Sequence, residues 1–134
     1  MVIKKILVID DITYIVKSLT KILTDANFIV YSALTGKDAL TAFAQRKPDL
    51  VTIDNRLPDM SGTKVLRSIR SVKQVQQPKI IIISANYDKN MIEGTSKLGA
   101  DAYLIKPVKK AVLLDKINEL LNLKDDEQEN SDNA

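Results

Sequence analysis

The sequence predicts an α/β protein: a parallel five-stranded sheet with helices over both faces. Three observations carry that expectation. The apolar residues fall in short, evenly spaced runs rich in Val, Ile and Leu. Between these runs the spacing changes to the i, i+3, i+4, i+7 pattern of amphipathic helices. Strand and helix alternate five times without an internal sequence repeat. Strands apolar on both faces belong to parallel sheets, whose crossover connections lay helices on each side.

The first strand is expected over residues 2–9. Asp11 stands where a helix N-cap belongs, and Ile12, Ile15, Val16, Leu19, Ile22 and Leu23 form the apolar stripe of the first helix. Asn27 marks its exit, and residues 28–31 form the second strand, which runs out at Ser32. Thr35-Gly36-Lys37-Asp38 reads as a capping box with Asp in place of Glu. The helix it opens turns Ala39, Leu40 and Phe43 inward and stops at Lys47-Pro48-Asp49, since proline cannot continue it. Residues 50–53 are the third strand. Val65, Leu66 and Ile69 mark the third helix, whose end is blurred between Ser71 and Gln77.

Lys79–Ser84 carries four consecutive isoleucines, a β-branched run suited to a buried pleated surface. Residues 88–98 are a weaker helix (Met91, Ile92, Leu98), because Gly94 costs about 1 kcal/mol against alanine. Gly99 suits its C-terminal cap. Ala102–Ile105 is the fifth strand. Pro107 fits the first turn of a last helix with Val108, Val112, Ile117, Leu120 and Leu121 inward.

At 134 residues the chain makes one domain. It contains no cysteine and no histidine. That excludes disulfides, zinc-thiolate and histidine metal sites, a cysteine nucleophile and a Ser-His-Asp triad, and no phosphohistidine can form on this chain. No apolar run approaches the roughly 20 residues of a membrane span, and too few apolar residues precede Asp10 for a signal peptide. The last eleven residues hold five acids (Asp125, Asp126, Glu127, Glu129, Asp132) and one base, so the preceding body carries 19 basic against 12 acidic residues. Those lysines are scattered and aromatics are few, so solvated helix faces are expected rather than a nucleic-acid surface. The expected organisation is a domain over residues 1–123 and, over 124–134, an acidic disordered tail or truncated linker.

Parallel strands share one direction, so their carboxyl ends meet at one edge of the sheet, where open α/β sheets bind ligands. Strand one ends in Asp10-Asp11, strand three in Asp54, strand four in Ser84-Ala85 and strand five in Lys106-Pro107. Taken singly each has an ordinary reading: Asp11 a cap, Asp10 a loop acid, Asp54 a turn residue, Ser84 a strand end, Lys106 a surface lysine. Gathered at one edge they have a common chemistry. Three carboxylates repel unless a cation lies among them. An all-oxygen donor set selects a hard ion, Mg²⁺ or Mn²⁺. An Asp carboxylate beside such an ion can accept a phosphoryl group, and a hydroxyl and an ammonium can hold the phosphoryl oxygens. A Mg²⁺-dependent phosphatase would want a second acid two residues after the nucleophile, where Arg56 stands. A flavin carrier would want a Ser/Thr/Gly-rich loop in place of Asp10-Asp11.

Over residues 2–122 the chain resembles the response regulator receiver domains of two-component signalling. The likeness rests on Asp10-Asp11, on Asp54 with Leu57-Pro58, Met60 and Gly62, on Ser84-Ala85, on Tyr103 and on Lys106-Pro107, all in order at matching strand ends. The resemblance implies a flavodoxin-like (βα)5 three-layer sandwich with sheet order 2-1-3-4-5. It implies Asp54 as phosphoacceptor, and Mg²⁺ (or Mn²⁺) held by Asp11, Asp54 and the backbone carbonyl of Arg56, with Asp10 acting through a bound water. It implies Ser84 and Tyr103 as the pair that couples phosphorylation to conformation, Lys106 as the phosphoryl counter-charge, and a cis bond between Lys106 and Pro107. The implied protein is a cytoplasmic phosphoacceptor switch rather than an enzyme. It would stand alone or form the N-terminal part of a larger regulator. Its partners would be a sensor histidine kinase or phosphotransfer protein and a downstream protein target. The target would be met through the face of helix four, strand five and helix five, by a monomer or a phosphorylation-dependent dimer, without direct nucleic-acid or membrane contact.

Overall fold

A computed structural model of the protein describes residues 2–73 and 75–123. The expectation for the acidic segment 124–134 lies outside these residues. The elements run β1 (Lys5–Ile9), α1 (Thr13–Asp25), β2 (Ile29–Ala33), α2 (Gly36–Arg46), β3 (Leu50–Asp54), α3 (Gly62–Ser71), β4 (Lys79–Ser84), α4 (Lys89–Lys97), β5 (Ala102–Ile105) and α5 (Lys110–Leu120). All four strand pairings are parallel, in the order β2-β1-β3-β4-β5. This is the α/β architecture and strand order expected. Among the described residues no helix is long and apolar enough to cross a membrane.

Alternation along the central strands divides their side chains between two cores. Leu7, Ile9, Val51, Ile53, Ile80 and Ile82 pack with Ala39 and Phe43 of α2 and with Val65, Leu66 and Ile69 of α3. Ile6, Val8, Leu50, Ile81 and Ile83 pack with Leu19 and Leu23 of α1 and with Leu113 and Ile117 of α5. Two-sided burial explains why these strands are apolar at nearly every position.

Several elements differ from the sequence expectation. β1 starts at Lys5, because pairing begins at Lys5↔Ile29 and Ile6↔Leu50; Val2 and Ile3 lie exposed ahead of it. Asp11 does not cap α1. Ile12 is the N-cap residue, without a side-chain cap, and the Asp10 carboxylate accepts the Ile12 N–H at 2.9 Å. Ile12 is therefore exposed rather than inward. β2 runs on to Ala33, beyond Ser32. Pro107 precedes α5 instead of opening it, since Lys109 is the N-cap and the helix starts at Lys110. Val112 is exposed and Leu113 takes the core position. Leu98 is likewise exposed, at the C-cap of α4.

The caps of α2 and α4 follow the sequence. Thr35 accepts the Asp38 N–H with its hydroxyl, and Lys47 closes α2 in the left-handed region at φ 49°. Asp88 accepts the Asn90 N–H, and Gly99 follows α4 at φ +109°. Glycine bears that angle without the strain a Cβ imposes.

One cation secures the amino edge of the sheet. The Arg70 guanidinium, at the end of α3, donates to the carbonyls of Gly99 (3.0 and 2.9 Å) and Pro78 (2.8 Å), to Gln77 Oε1 (2.6 Å) and to the Asp101 carboxylate (3.0 Å). Asp101 in turn accepts the Ile80 N–H at 2.8 Å. Burial lowers the Arg70 pKa, against the opposing pull of Asp101. The end of α3, the entry of β4 and the turn after α4 thus share one planar donor.

Candidate functional site

The ladder register brings the polar strand ends to one rim. Ile9 pairs with Ile53, Asp54 with Ile83 and Ser84 with Ile105. Asp10, Asp54, Ser84 and Lys106 therefore stand side by side where the core strands stop. Asp10 (2% exposed), Asp54 (8%) and Ser84 (4%) are buried, while Asp11 is exposed. Carboxylate oxygens of Asp10, Asp11 and Asp54 all lie within 4.8 Å of one another.

Lys106 reaches into this cluster. Its Nζ donates to Asp10 Oδ2 at 2.9 Å and to Asp54 Oδ1 at 3.2 Å. Burial raises the Asp54 pKa, and the Asp10 charge adds to the rise; Lys106 opposes both without cancelling them. For Lys106, burial lowers the pKa, but hydrogen bonds and charges from Asp10 and Asp54 outweigh it and the net shift is upward. The peptide bond between Lys106 and Pro107 is cis.

Ser84 and Tyr103 meet at a third residue. Ser84 Oγ accepts the Asn86 N–H at 3.0 Å, and the Tyr103 hydroxyl donates to the Asn86 carbonyl at 2.5 Å. The two side chains hold opposite ends of one residue in the β4–α4 loop. Sequence spacing placed Ser84 at a strand end and Tyr103 within β5, but gave no sign of this shared partner.

The loop after Asp54 is pinned at both ends. At its base Gly62 N–H donates to the Asn55 carbonyl at 2.8 Å, and Arg56 bridges Ser61 in antiparallel fashion. A Cβ on Gly62 would run into the Asp54 carbonyl oxygen and lie 2.9 Å from Asn55 Cα, both backbone, so only glycine fits. At its apex the Asp59 carboxylate accepts the N–H groups of Gly36 (2.7 Å) and Lys37 (2.9 Å), the first two residues of α2. Those two donors hold the Asp59 pKa below its usual range. Met60 covers Gly36 so closely that a Cβ there would collide with its side chain. Nothing in the local sequence marks Asp59 as a cap, because its helix starts 23 residues earlier.

The donor chemistry fits a hard divalent ion. Three carboxylates converge, and the Arg56 carbonyl accepts no hydrogen bond from the described residues. The converging donors are all oxygen, and the chain offers no Cys or His to compete with them. A cleft of about 410 Å³ opens at the opposite edge of the sheet, among Lys4, Lys47, Lys79, Phe43 and Leu121. It contains none of these groups, and we place the site by its chemistry rather than by concavity.

Comparison with known proteins identifies the family of the chain. A family model described as a response regulator receiver domain matches residues 6–118. The chain is 31% identical to the chemotaxis protein CheY of Bacillus subtilis (strain 168), over 88% of this chain and 98% of that protein. Among solved structures, a CheY-like response regulator receiver domain protein from Methanospirillum hungatei JF-1 is similar with a TM-score of 0.84 and 33% identity, over 97% of this chain and 99% of that one. A chain of the CheX–CheY–BeF3–Mg²⁺ complex from Borrelia burgdorferi has a TM-score of 0.82 and 27% identity, over 88% and 89% of the two chains.

Proposed function

Because the chain belongs to the response regulator receiver domain family of two-component systems, we propose that it accepts a phosphoryl group on Asp54 and signals by a change of surface. One observation carries this reading: Asp54 sits among two further carboxylates and a lysine ammonium, at 3.2 Å from Lys106 Nζ. Asp11 and Asp54, with the Arg56 carbonyl, would hold Mg²⁺, and Asp10 would act through a bound water. When bound, the ion neutralises charge on the phosphoryl oxygens and removes the repulsion among the acids.

The chain's own residues supply the rest. An Asp54 carboxylate oxygen attacks phosphorus, and the bond from phosphorus to its donor breaks with the electron pair leaving on the donor. Lys106 is already within hydrogen-bond reach and follows the new charge as counter-ion. The Ser84 hydroxyl leaves the Asn86 amide to donate to a phosphoryl oxygen. Asn86 then keeps the Tyr103 hydroxyl on its carbonyl and the Asp88 N–H on its Oδ1, and the ring turns inward with the loop.

A phosphohistidine donor lies outside these 134 residues, which contain no histidine. A histidine kinase or phosphotransfer protein fits that role, and a downstream protein reads the changed surface. The Borrelia burgdorferi relative is assembled with CheX, BeF3 and Mg²⁺, which is the combination of metal, phosphoryl mimic and protein partner that this reading requires. On this reading the protein is a cytoplasmic switch, not a turnover enzyme.

Intact-mass spectrometry after incubation with Mg²⁺ and acetyl phosphate tests the proposal. The wild type is expected to gain one phosphoryl group, labile to hydroxylamine, and to gain none in EDTA. Asp54→Asn should gain none under either condition. Equal labelling of the variant would sink the assignment.

A further inference from the structure

We infer that Asp59 is a positioning residue for the metal side of the phosphoacceptor site, fixing the Arg56 carbonyl by anchoring the loop that carries it to the N-terminus of α2. The inference rests on the proposed Mg²⁺-dependent phosphoacceptor function.

The reasoning starts from the loop. Residues 55–61 join β3 to α3, and Arg56 lies one residue past Asn55. A loop carbonyl serves as a ligand only if its peptide plane is already fixed. Ordering it at the moment of binding would draw on the binding free energy. The base pin (Gly62 N–H to the Asn55 carbonyl, 2.8 Å) holds one side of Arg56. Without a second anchor, residues 57–60 could pivot about that base.

The second anchor is the α2 contact. Helices begin with unpaired N–H groups, and an acid there is favoured by hydrogen bonding and by the helix dipole. Here the loop's own carboxylate takes two of them, from Gly36 and Lys37, while Thr35 takes the Asp38 N–H. The first three amides of α2 are thereby satisfied, two of them by a residue from the other side of the site. Met60 against Gly36, and buried Leu57, close the remaining freedom. Asp59 is solvent-exposed and lies outside the acidic cluster, so it does not ligate the metal and acts through the loop's conformation. Residues that orient a metal's ligands from outside the ligand shell commonly affect affinity by about 10-fold or more.

Calorimetric Mg²⁺ titration, together with ¹⁵N relaxation of metal-free protein, tests this on the 134-residue wild type, Asp59→Ala and Asp59→Asn. The asparagine retains shape and one acceptor, and guards against a folding failure in the alanine variant. The expected result is a Mg²⁺ Kd weakened about 10-fold in Asp59→Ala and less in Asp59→Asn. Backbone order should fall across residues 55–61 while β1, β3 and β4 stay unchanged. In the wild type, the Gly36 and Lys37 amide signals should shift on Mg²⁺ addition with the same Kd as the loop. Variants that bind Mg²⁺ within twofold of wild type, or whose loop order is unchanged, overturn the inference and leave the phosphoacceptor reading standing. A wild type that binds no Mg²⁺ overturns both.

Discussion

Replacing Lys106 with methionine is expected to destabilise the metal-free protein by about 2 kcal/mol at neutral pH, and by much less near pH 4. Removing one partner of a buried ion pair leaves an uncompensated charge, typically about 3–5 kcal/mol; the rim is partly open to solvent, which reduces it. Lys106 is 17% exposed and touches both Asp10 and Asp54. Without it two buried carboxylates face each other, and the Asp54 pKa, already raised by burial and by Asp10, rises further. An acid whose folded pKa exceeds its unfolded value, about 3.9, loses stability as pH climbs from the lower value through the higher one. The penalty is thus absent in acid and complete at neutral pH. Lys106 has a raised pKa of its own, so on the alkaline side its stabilising contribution persists up to about pH 10, while in acid it fades as its carboxylate partners are protonated. Urea midpoints at pH 4 and 7.5 measure the difference. Mg²⁺ should restore most of the loss at pH 7.5, as a replacement cation. Equal midpoints at pH 7.5 without metal would show that the lysine does not hold the cluster together.

Arg70→Ala should cost about 2–3 kcal/mol at all neutral pH values, with Arg70→Lys recovering little of it. The deletion strips donors from two backbone carbonyls, a glutamine and a half-buried carboxylate at once, and partly buried acceptors left unpaired carry penalties of about 1–3 kcal/mol each. Some of those acceptors will recover water, which keeps the total near the lower end. Lysine offers one point of charge where the site uses a planar fork. Thermal melts of the three proteins decide it: a lysine variant as stable as the wild type would mean that charge, not fork geometry, is what the amino edge needs. Phosphorylation at the far rim should be little changed.

The central strands were legible because two-sided burial writes itself into sequence as unbroken apolar runs; β4 matches the expected bounds residue for residue, and so does the edge strand β5, apolar although none of its residues is fully buried. The carboxyl-edge residues were legible for a related reason, since a strand's last residue is where its apolar run stops. The strand order came from family resemblance, because adjacency of strands is a long-range property. Local ambiguity explains the misplacements. Asp10 and Asp11 are both able to cap α1, and neighbouring geometry gave the Ile12 N–H to Asp10. Residues 111–114 are apolar throughout, so periodicity could not tell whether Val112 or Leu113 faces inward. Pro107 has a backbone angle suited equally to a helix start and to the loop it occupies. Arg70 and Asp59 left no trace at all: their partners lie 29 and 23 residues away, and nothing in the sequence separates them from other surface charges.

The weak helix has a consequence for how the protein stores and spends its stability. α4 buries a single side chain, Thr95, and neither Met91, Ile92 nor Leu98 belongs to either core. Gly94 in its middle touches nothing that a Cβ would meet. Opening β1, β3 or β4 means dismantling both cores, whereas releasing α4 disrupts little beyond its own hydrogen bonds. The molecule therefore has two separate energy scales, one global and one local. Amide hydrogen exchange should register them as distinct classes, with α4 exchanging well before the central strands and insensitively to mutations that change global stability. If α4 exchanges together with β4, the two scales are one. A loosely held element beside the loop that Ser84 and Tyr103 grip would let the proposed modification, at a few kcal/mol, move that element without unfolding the rest.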